Sequence, residues 1–268
     1  MEQIANPRAM LDTAIRDDRT TASDAHVYAT PSDPARAWLR LNEVVIPKSA
    51  PVIAQSNAEV KASFDLLRSR ILRQMRKDGL RKLALTSPTP SCGTTTLTAN
   101  LALSLSRQID LKIIVFDLNL RRPNLVNLFS LTPTAPRSSA LSGQRRGFDS
   151  TCMRVGHNFG LSLTTGPDPE PAELLGTSRA RALIEQIERE FAPDLMLFDL
   201  PPVLPHDDVV AASDLYDAAL LIARADHSTA NQVDRAERLI SEQKPCLGVI
   251  MNACRFPTQS ELGDNKAA

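Results

Sequence analysis

The chain has 268 residues, 43% of them apolar, and a formal net charge of zero. That length and apolar share support a real core, in one large α/β domain with tails or in two small domains. Balanced charge argues against a nucleic-acid binder or a protein held on an anionic membrane by its own surface.

The four cysteines, Cys92, Cys152, Cys246 and Cys254, form no CxxC pair and no metal-ligand spacing. They read as reduced thiols of a cytoplasmic protein. No apolar run approaches the roughly 20 residues of a membrane span. Residues 1–18 are too charged for a secretory signal, so any membrane link is expected through a partner.

Residues 1–50 mix charges of both signs with Ala, Thr, Ser and Pro, and read as a flexible N-terminal segment. One apolar island, Trp38, Leu39, Leu41, Val44, Val45 and Ile46, is either a sticky patch in that linker or a strand laid against the domain. A domain is expected over 51–256 and a polar tail over 257–268. A helix begins near Asn57, with Val60, Phe64, Leu67, Ile71 and Met75 on one stripe, and Gly79 ends it.

Residues 83–85 read as a buried strand. The Pro, Ser, Thr and Gly residues that follow must turn the chain, and Leu97, Leu101 and Leu105 then recur at helical spacing. Strand, small-residue loop and helix is the layout that aims backbone N–H groups at phosphate oxygens. Gly93 and Thr95 stand where such a loop has its glycine and its Mg²⁺-binding hydroxyl. Thr94 stands at the lysine position, so the loop taken alone reads as an ordinary polar connection.

Residues 113–116 form an apolar, β-branched strand ending in Asp117, Asn119 and Arg121. Residues 131–158 read as a long surface loop with one short helix near 139–142. A strand at 161–164 and a helix at 178–191 follow. The strand at 195–198 closes on Asp199, and Asp207 is a candidate helix cap. A strand at 218–223, a helix that Pro245 terminates and a last strand at 247–251 complete the pattern. Apolar strands alternating with amphipathic helices predict an α/β fold, a mainly parallel sheet flanked by helices in a single domain. Ligands of such sheets sit at the carboxyl ends of the strands. Three of those ends carry chemistry: Gly93, Thr94 and Thr95; Asp117, Asn119 and Arg121; and Asp199.

At these residues the chain resembles the bacterial tyrosine kinases of capsule and exopolysaccharide systems, relatives of the MinD/ParA-type P-loop ATPases. The resemblance runs from about Ala62 to Cys254. Phe64-x-x-Leu67-Arg68-x-Arg70-Ile71 is similar to the family's opening helix. Thr86 through Thr95 resembles its Walker A, and Phe116-Asp117-Leu-Asn119-Leu-Arg121-Arg122-Pro123 its second aspartate motif. Gly166 through Pro171-Ala-Glu-Leu-Leu-Gly176 resembles a family segment. Phe198-Asp199-Leu-Pro201-Pro202-Val203 resembles its Walker B, with Asp208 just beyond.

The departures fall on function. Thr94 replaces the Walker A lysine, Ser91 a loop glycine, and Asn119 the second aspartate of Asp-x-Asp. Ala62, Asp65 and Arg68 replace the Glu-x-x-Arg-x-x-Arg of the oligomerisation helix. The C-terminal tyrosine cluster is absent, leaving only Tyr28 and Tyr216, and Tyr216 reads as packed.

The resemblance implies ATP or ADP with Mg²⁺, the phosphates lying on Pro90, Ser91, Cys92, Gly93, Thr94, Thr95, Thr96 and Arg121. Mg²⁺ would be held by Thr95 and Asp199. Asp117, Asp199, Thr94 and Asn119 occupy the family's catalytic places. It also implies a polysaccharide co-polymerase of the inner membrane as partner, no nucleic acid, and weakened oligomerisation. The expected function is a catalytically impaired nucleotide-binding or scaffolding regulator. The alternatives are an active tyrosine kinase acting in trans or a MinD/ParA-like ATPase.

Overall fold

Strands that are apolar on both faces need helices on both sides of their sheet. The computed structural model describes residues 33–52, 58–132, 141 and 152–254. In chain order its strands are β1 (Asn42–Val44), β2 (Lys82–Thr86), β3 (Ile113–Asp117), β4 (Cys152–Val155), β5 (Phe159–Ser162), β6 (Leu195–Asp199), β7 (Ala218–Arg224) and β8 (Cys246–Asn252). The helices are α1 (Pro34–Arg40), α2 (Ala58–Asp78), α3 (Thr94–Ser106), α4 (Leu125–Leu128), α5 (Pro171–Leu175), α6 (Ser178–Phe191), α7 (Asp208–Ala211) and α8 (Ala230–Ser241). The strands form one sheet in the order β1-β4-β5-β3-β6-β2-β7-β8. Every pairing is parallel except β4 with β5.

The pleat sends alternate residues of each central strand to opposite faces. Ile114, Phe116, Met196 and Phe198 join one core with α1 and α6, and the Phe116 and Phe198 rings stack at 5.1 Å. Ile113, Val115, Leu195 and Leu197 join the other, beneath α2 and α3. The parallel α/β architecture expected from the sequence is therefore present, and its central strands are buried throughout.

Residues 33–52 depart from the flexible-segment expectation. Asp33 caps α1 through a 3.0 Å bond from the Ala35 amide, with Pro34 at the first helical position. Trp38 donates its indole N–H to the Phe191 carbonyl at 2.8 Å and meets the Phe191 ring edge-on. Gly160 packs beneath this indole, and a Cβ there would press on the Ile114 side chain at 3.2 Å. β1 then adds to the sheet in register with β4. The apolar island is a strand and helix laid against the domain, because burying an indole and pairing a strand outweigh the weak local periodicity.

A second departure is β4, a strand inside the 131–158 stretch read as loop; it hydrogen-bonds between β1 and β5. The short helix expected near 139–142 lies largely outside the described residues, as do residues 1–32 and the tail from 255 onward. Among the described residues no helix is long and apolar enough to cross a membrane.

Candidate functional site

β2 delivers the chain to the loop at Thr86, whose buried hydroxyl donates to the Pro201 carbonyl at 2.6 Å. That bond ties the start of the loop to the segment after β6. The backbone then turns through Ser91 (φ 67°) and Gly93 (φ 88°), both in the left-handed region. The left-handed backbone favours glycine at 93, where a Cβ would also lie 2.4 Å from Asn252 Nδ2 and displace that side chain. α3 starts at the next residue, and no side chain caps it. Its first amides are thus left without a side-chain acceptor, and the helix dipole favours negative charge there.

Side chains from the far edge of the sheet hold the outside of this loop. Asn252 Nδ2 donates to the Cys92 carbonyl at 2.8 Å. Arg224 Nη1 donates to the Ser91 carbonyl at 2.9 Å, and His227 Nε2 lies 3.1 Å from the Pro90 carbonyl oxygen. The Cys92 thiol is buried, 3.5 Å from Ser228 Oγ and 3.7 Å from Thr89 Oγ1.

Asp117 and Asp199 end adjacent strands and face each other in register. Both are buried. Asp117 Oδ2 accepts from the amides of Asn124 and Leu125 at 3.1 and 3.0 Å. Thr98 Oγ1 lies 3.2 Å from Asp199 Oδ1. Asp117 Oδ1 and Asp199 Oδ2 are buried without any hydrogen-bond partner. Such oxygens carry a desolvation cost that a proton or a cation relieves. Burial pushes the Asp199 carboxyl up to about 7, against hydrogen bonds from Thr95 and Thr98 that lower it. Burial, and then the neighbouring charge of Asp199, hold Asp117 well above the usual carboxylate range.

The donor set fits a hard divalent cation that keeps several waters: two carboxylate oxygens and the Thr95 hydroxyl, all oxygen. Among the described residues no group of three or more His, Cys, Asp or Glu side chains forms a closed metal cage.

The structure brings most of the residues singled out in the sequence to one end of the sheet. Pro90, Ser91, Cys92, Gly93, Thr94, Thr95 and Thr96 form the loop and first helical turn. Thr95, in the first turn of α3, favours the charged form of the Asp199 carboxyl, and Asp199 pairs in register with Asp117. Thr94, at the lysine position, is only 8% exposed, a neutral side chain folded into the loop. Asn119 Oδ1 accepts from the Arg122 amide at 3.3 Å and closes a local turn. Arg121 stands apart: its guanidinium is bidentate on the buried Asp208, at 2.6 and 2.9 Å.

Asp207 occupies the N-cap position of α7, but its side chain makes no capping bond. Tyr216 is buried and donates to the Val209 carbonyl at 3.3 Å, so it is packed as expected. Sequence reasoning missed Thr98, Arg224, His227 and Asn252. Thr98 was within reach, one turn beyond Thr94 on the face that meets Asp199. The other three touch the loop from 133 to 160 residues away and leave no local pattern.

No family model matches the chain. Among curated proteins, the tyrosine-protein kinase ptk of Acinetobacter johnsonii is 30% identical over 224 residues, 81% of this chain and 30% of its own length. The tyrosine-protein kinase YwqD of Bacillus subtilis is 29% identical over 186 residues, 69% of this chain and 77% of its own. The chain thus spans under a third of the first relative's length. Among solved structures, the kinase domain of the Escherichia coli tyrosine kinase ETK superposes with a TM-score of 0.67 at 29% identity, over 80% of this chain and 83% of that one. The septum site-determining protein MinD of Pyrococcus horikoshii, solved with Mg-ADP, shares the fold, with a TM-score of 0.54 at 19% identity over 67% and 75% of the two chains.

Proposed function

Since the chain belongs to the bacterial tyrosine-kinase family of capsule and exopolysaccharide systems, we propose that it is a catalytically impaired member: a nucleotide-binding or scaffolding regulator of polysaccharide synthesis and export. The observation that carries this reading is the pair of unpartnered buried oxygens, Asp117 Oδ1 and Asp199 Oδ2, beside a loop whose lysine position is Thr94. The carboxylates suit a cation, while the loop lacks its charge clamp.

In this reading the amides of residues 91–96 take the phosphates of ATP or ADP. Thr95 and Asp199 hold Mg²⁺, which when bound neutralises phosphate charge. Asp117 orders the surrounding water, and Asn119, which accepts no proton, leaves the pair one carboxylate short of the family pattern. Loss of a transition-state cation in such sites costs about 10³-fold or more in rate. By the same family resemblance the protein acts at the inner face of the inner membrane through a polysaccharide co-polymerase.

Calorimetry with Mg·ATP and Mg·ADP on the wild type and on Thr94→Lys tests the reading. Weak binding by the wild type and at least about tenfold tighter binding by Thr94→Lys are expected, one charge-assisted hydrogen bond being worth about that factor. Rapid transfer of labelled phosphate to tyrosine by the wild type would overturn the impairment.

A second reading, an active ATP-dependent protein-tyrosine kinase acting in trans, is favoured by the placement of Asp117 and Asp199 in register beside the first turn of α3 that carries Thr95. Its substrate tyrosine would lie elsewhere than at the buried Tyr216. It requires that Asp199→Asn abolish transfer with the fold intact.

A further inference from the structure

Three successive loop carbonyls are engaged from one side. Pro90 faces His227 at 3.1 Å, Ser91 accepts from Arg224 at 2.9 Å, and Cys92 accepts from Asn252 at 2.8 Å. The three side chains belong to one braced unit at the ends of β7 and β8. The Arg224 carbonyl accepts from the His227 and Ser228 amides at 3.2 and 2.9 Å. Ser228 Oγ accepts from the Arg224 amide at 3.0 Å and lies 3.5 Å from the Cys92 thiol. The Ala225 amide donates to the Asn252 carbonyl at 2.9 Å and closes the unit. Asp226, at φ 60°, makes the tight turn.

In a trans peptide the C=O of one residue and the N–H of the next point in opposite directions. All peptide bonds described are trans. Carbonyls 90, 91 and 92 turned toward the β7–β8 edge therefore turn the amides of Ser91, Cys92 and Gly93 away from it. A run of amides aimed together is a concavity for an anion. Most phosphate loops have a lysine crossing them, and here that position is the neutral Thr94. Arg121 is engaged by Asp208, whereas the Arg224 guanidinium is exposed at the loop's rim.

We propose that Arg224 is a positioning residue of the phosphate loop: seated on the Ser91 carbonyl between His227 and Asn252, it holds the loop with its amides presented to a phosphate group and sets at the rim the positive charge that Thr94 does not bring. Charge-assisted donation by a guanidinium is stronger than that of a neutral group, and Arg suits a fixed geometry better than Lys. The chemistry recognised is the phosphate chain of a nucleoside di- or triphosphate, so the inference rests on the nucleotide reading above. The restraint on the loop backbone exists without it.

The test uses the full chain with Arg224→Gln and Arg224→Lys. Hydrogen exchange of the Ser91, Cys92 and Gly93 amides is followed in the ligand-free protein, and Mg·ADP affinity is followed by calorimetry at two salt concentrations. Arg224→Gln should exchange about tenfold faster at those amides and bind Mg·ADP about tenfold more weakly with a shallower salt dependence. The cooperative melt should be unchanged. Arg224→Lys should recover the salt dependence and only part of the protection. Wild-type exchange or wild-type affinity in Arg224→Gln overturns the proposal. If the wild type binds no Mg·ADP, the nucleotide reading fails by itself. The exchange rates then decide: faster exchange in Arg224→Gln upholds the role in loop geometry, and unchanged exchange overturns it.

Discussion

A carboxyl group sealed from water keeps its proton, and Asp199 is sealed completely. Its folded value near 7 stands above the ordinary 3.8, so the fold prefers the protonated form. The stability this gives is fully present below about pH 4 and is lost as pH rises through 7. Asp117, also raised, acts in the same direction. At one unit to about 1.4 kcal/mol, the ionised Asp199 costs on the order of a few kcal/mol in the ligand-free chain. Asp199→Asn, which cannot ionise, should therefore gain on the wild type as pH rises from 4 to 8 in thermal melts with metal chelated. A gap that stays constant with pH would contradict the burial argument. Gly93→Ala should lose about 1 kcal/mol or more from its left-handed backbone alone. It should also displace Asn252, which urea unfolding and nucleotide calorimetry would register separately. The two aspartates and the small-residue loop were legible in the sequence because each follows directly on a buried strand. Arg224, His227 and Asn252 were not, because a carbonyl gives no sign in sequence of which distant side chain reaches it. Arg121 was legible as a cation, but its engagement by Asp208 depends on how the segments after β3 and β6 fold toward each other.

At the scale of elements, periodicity served where segments are long. α2, α6 and the strands β2, β3, β6, β7 and β8 all lie where the apolar pattern puts them. It failed for β1 and β4, which are short and lie toward the sheet's edge. Three or four residues cannot show alternation, and the Ser- and Arg-rich run ahead of β4 hides it. Trp38 is the anchor that makes α1 and β1 part of the fold. Trp38→Ala removes a 3%-exposed indole together with its hydrogen bond to the Phe191 carbonyl. A loss of about 3–5 kcal/mol in urea unfolding is expected, together with faster exchange in β1. A loss under about 1 kcal/mol, in the range of ordinary surface substitutions, would return residues 33–52 to the status of a linker. On the opposite face Asp65 fixes α2 to α3. Its Oδ1 accepts from Ser104 at 2.6 Å and pairs with Arg107 and Arg68. The Ser104 hydroxyl, then the two arginines, hold its carboxyl below the ordinary range. Its contribution is present above the unfolded value and fades as pH falls through the folded one. Asp65→Ala should cost about 1 kcal/mol at neutral pH, discounted for partial exposure, and progressively less in acid.

The same Asp65 bears on the whole molecule. The resemblance read from the sequence puts an arginine of an oligomerisation helix at this position, which would reverse the charge, and α3 already uses the carboxylate. A self-associating surface must offer complementary groups that remain open. A carboxylate held by Ser104 and Arg107 within its own chain offers little to a second copy. The alternative read from the sequence, a MinD/ParA-like ATPase, would need nucleotide to drive two copies together. Here the rim of the phosphate loop is occupied by Arg224 and His227, both bonded to the chain's own carbonyls. A partner copy would have to displace or cover them. We therefore expect sedimentation velocity to give one species whose size is the same without nucleotide, with Mg·ADP and with Mg·ATP. A shift to a dimer with Mg·ATP alone would favour a positioning ATPase over the impaired-kinase reading. A larger, nucleotide-independent assembly that Asp65→Arg strengthens would instead show that α2 retains the family's contact surface, and that its reversed charge weakens the contact.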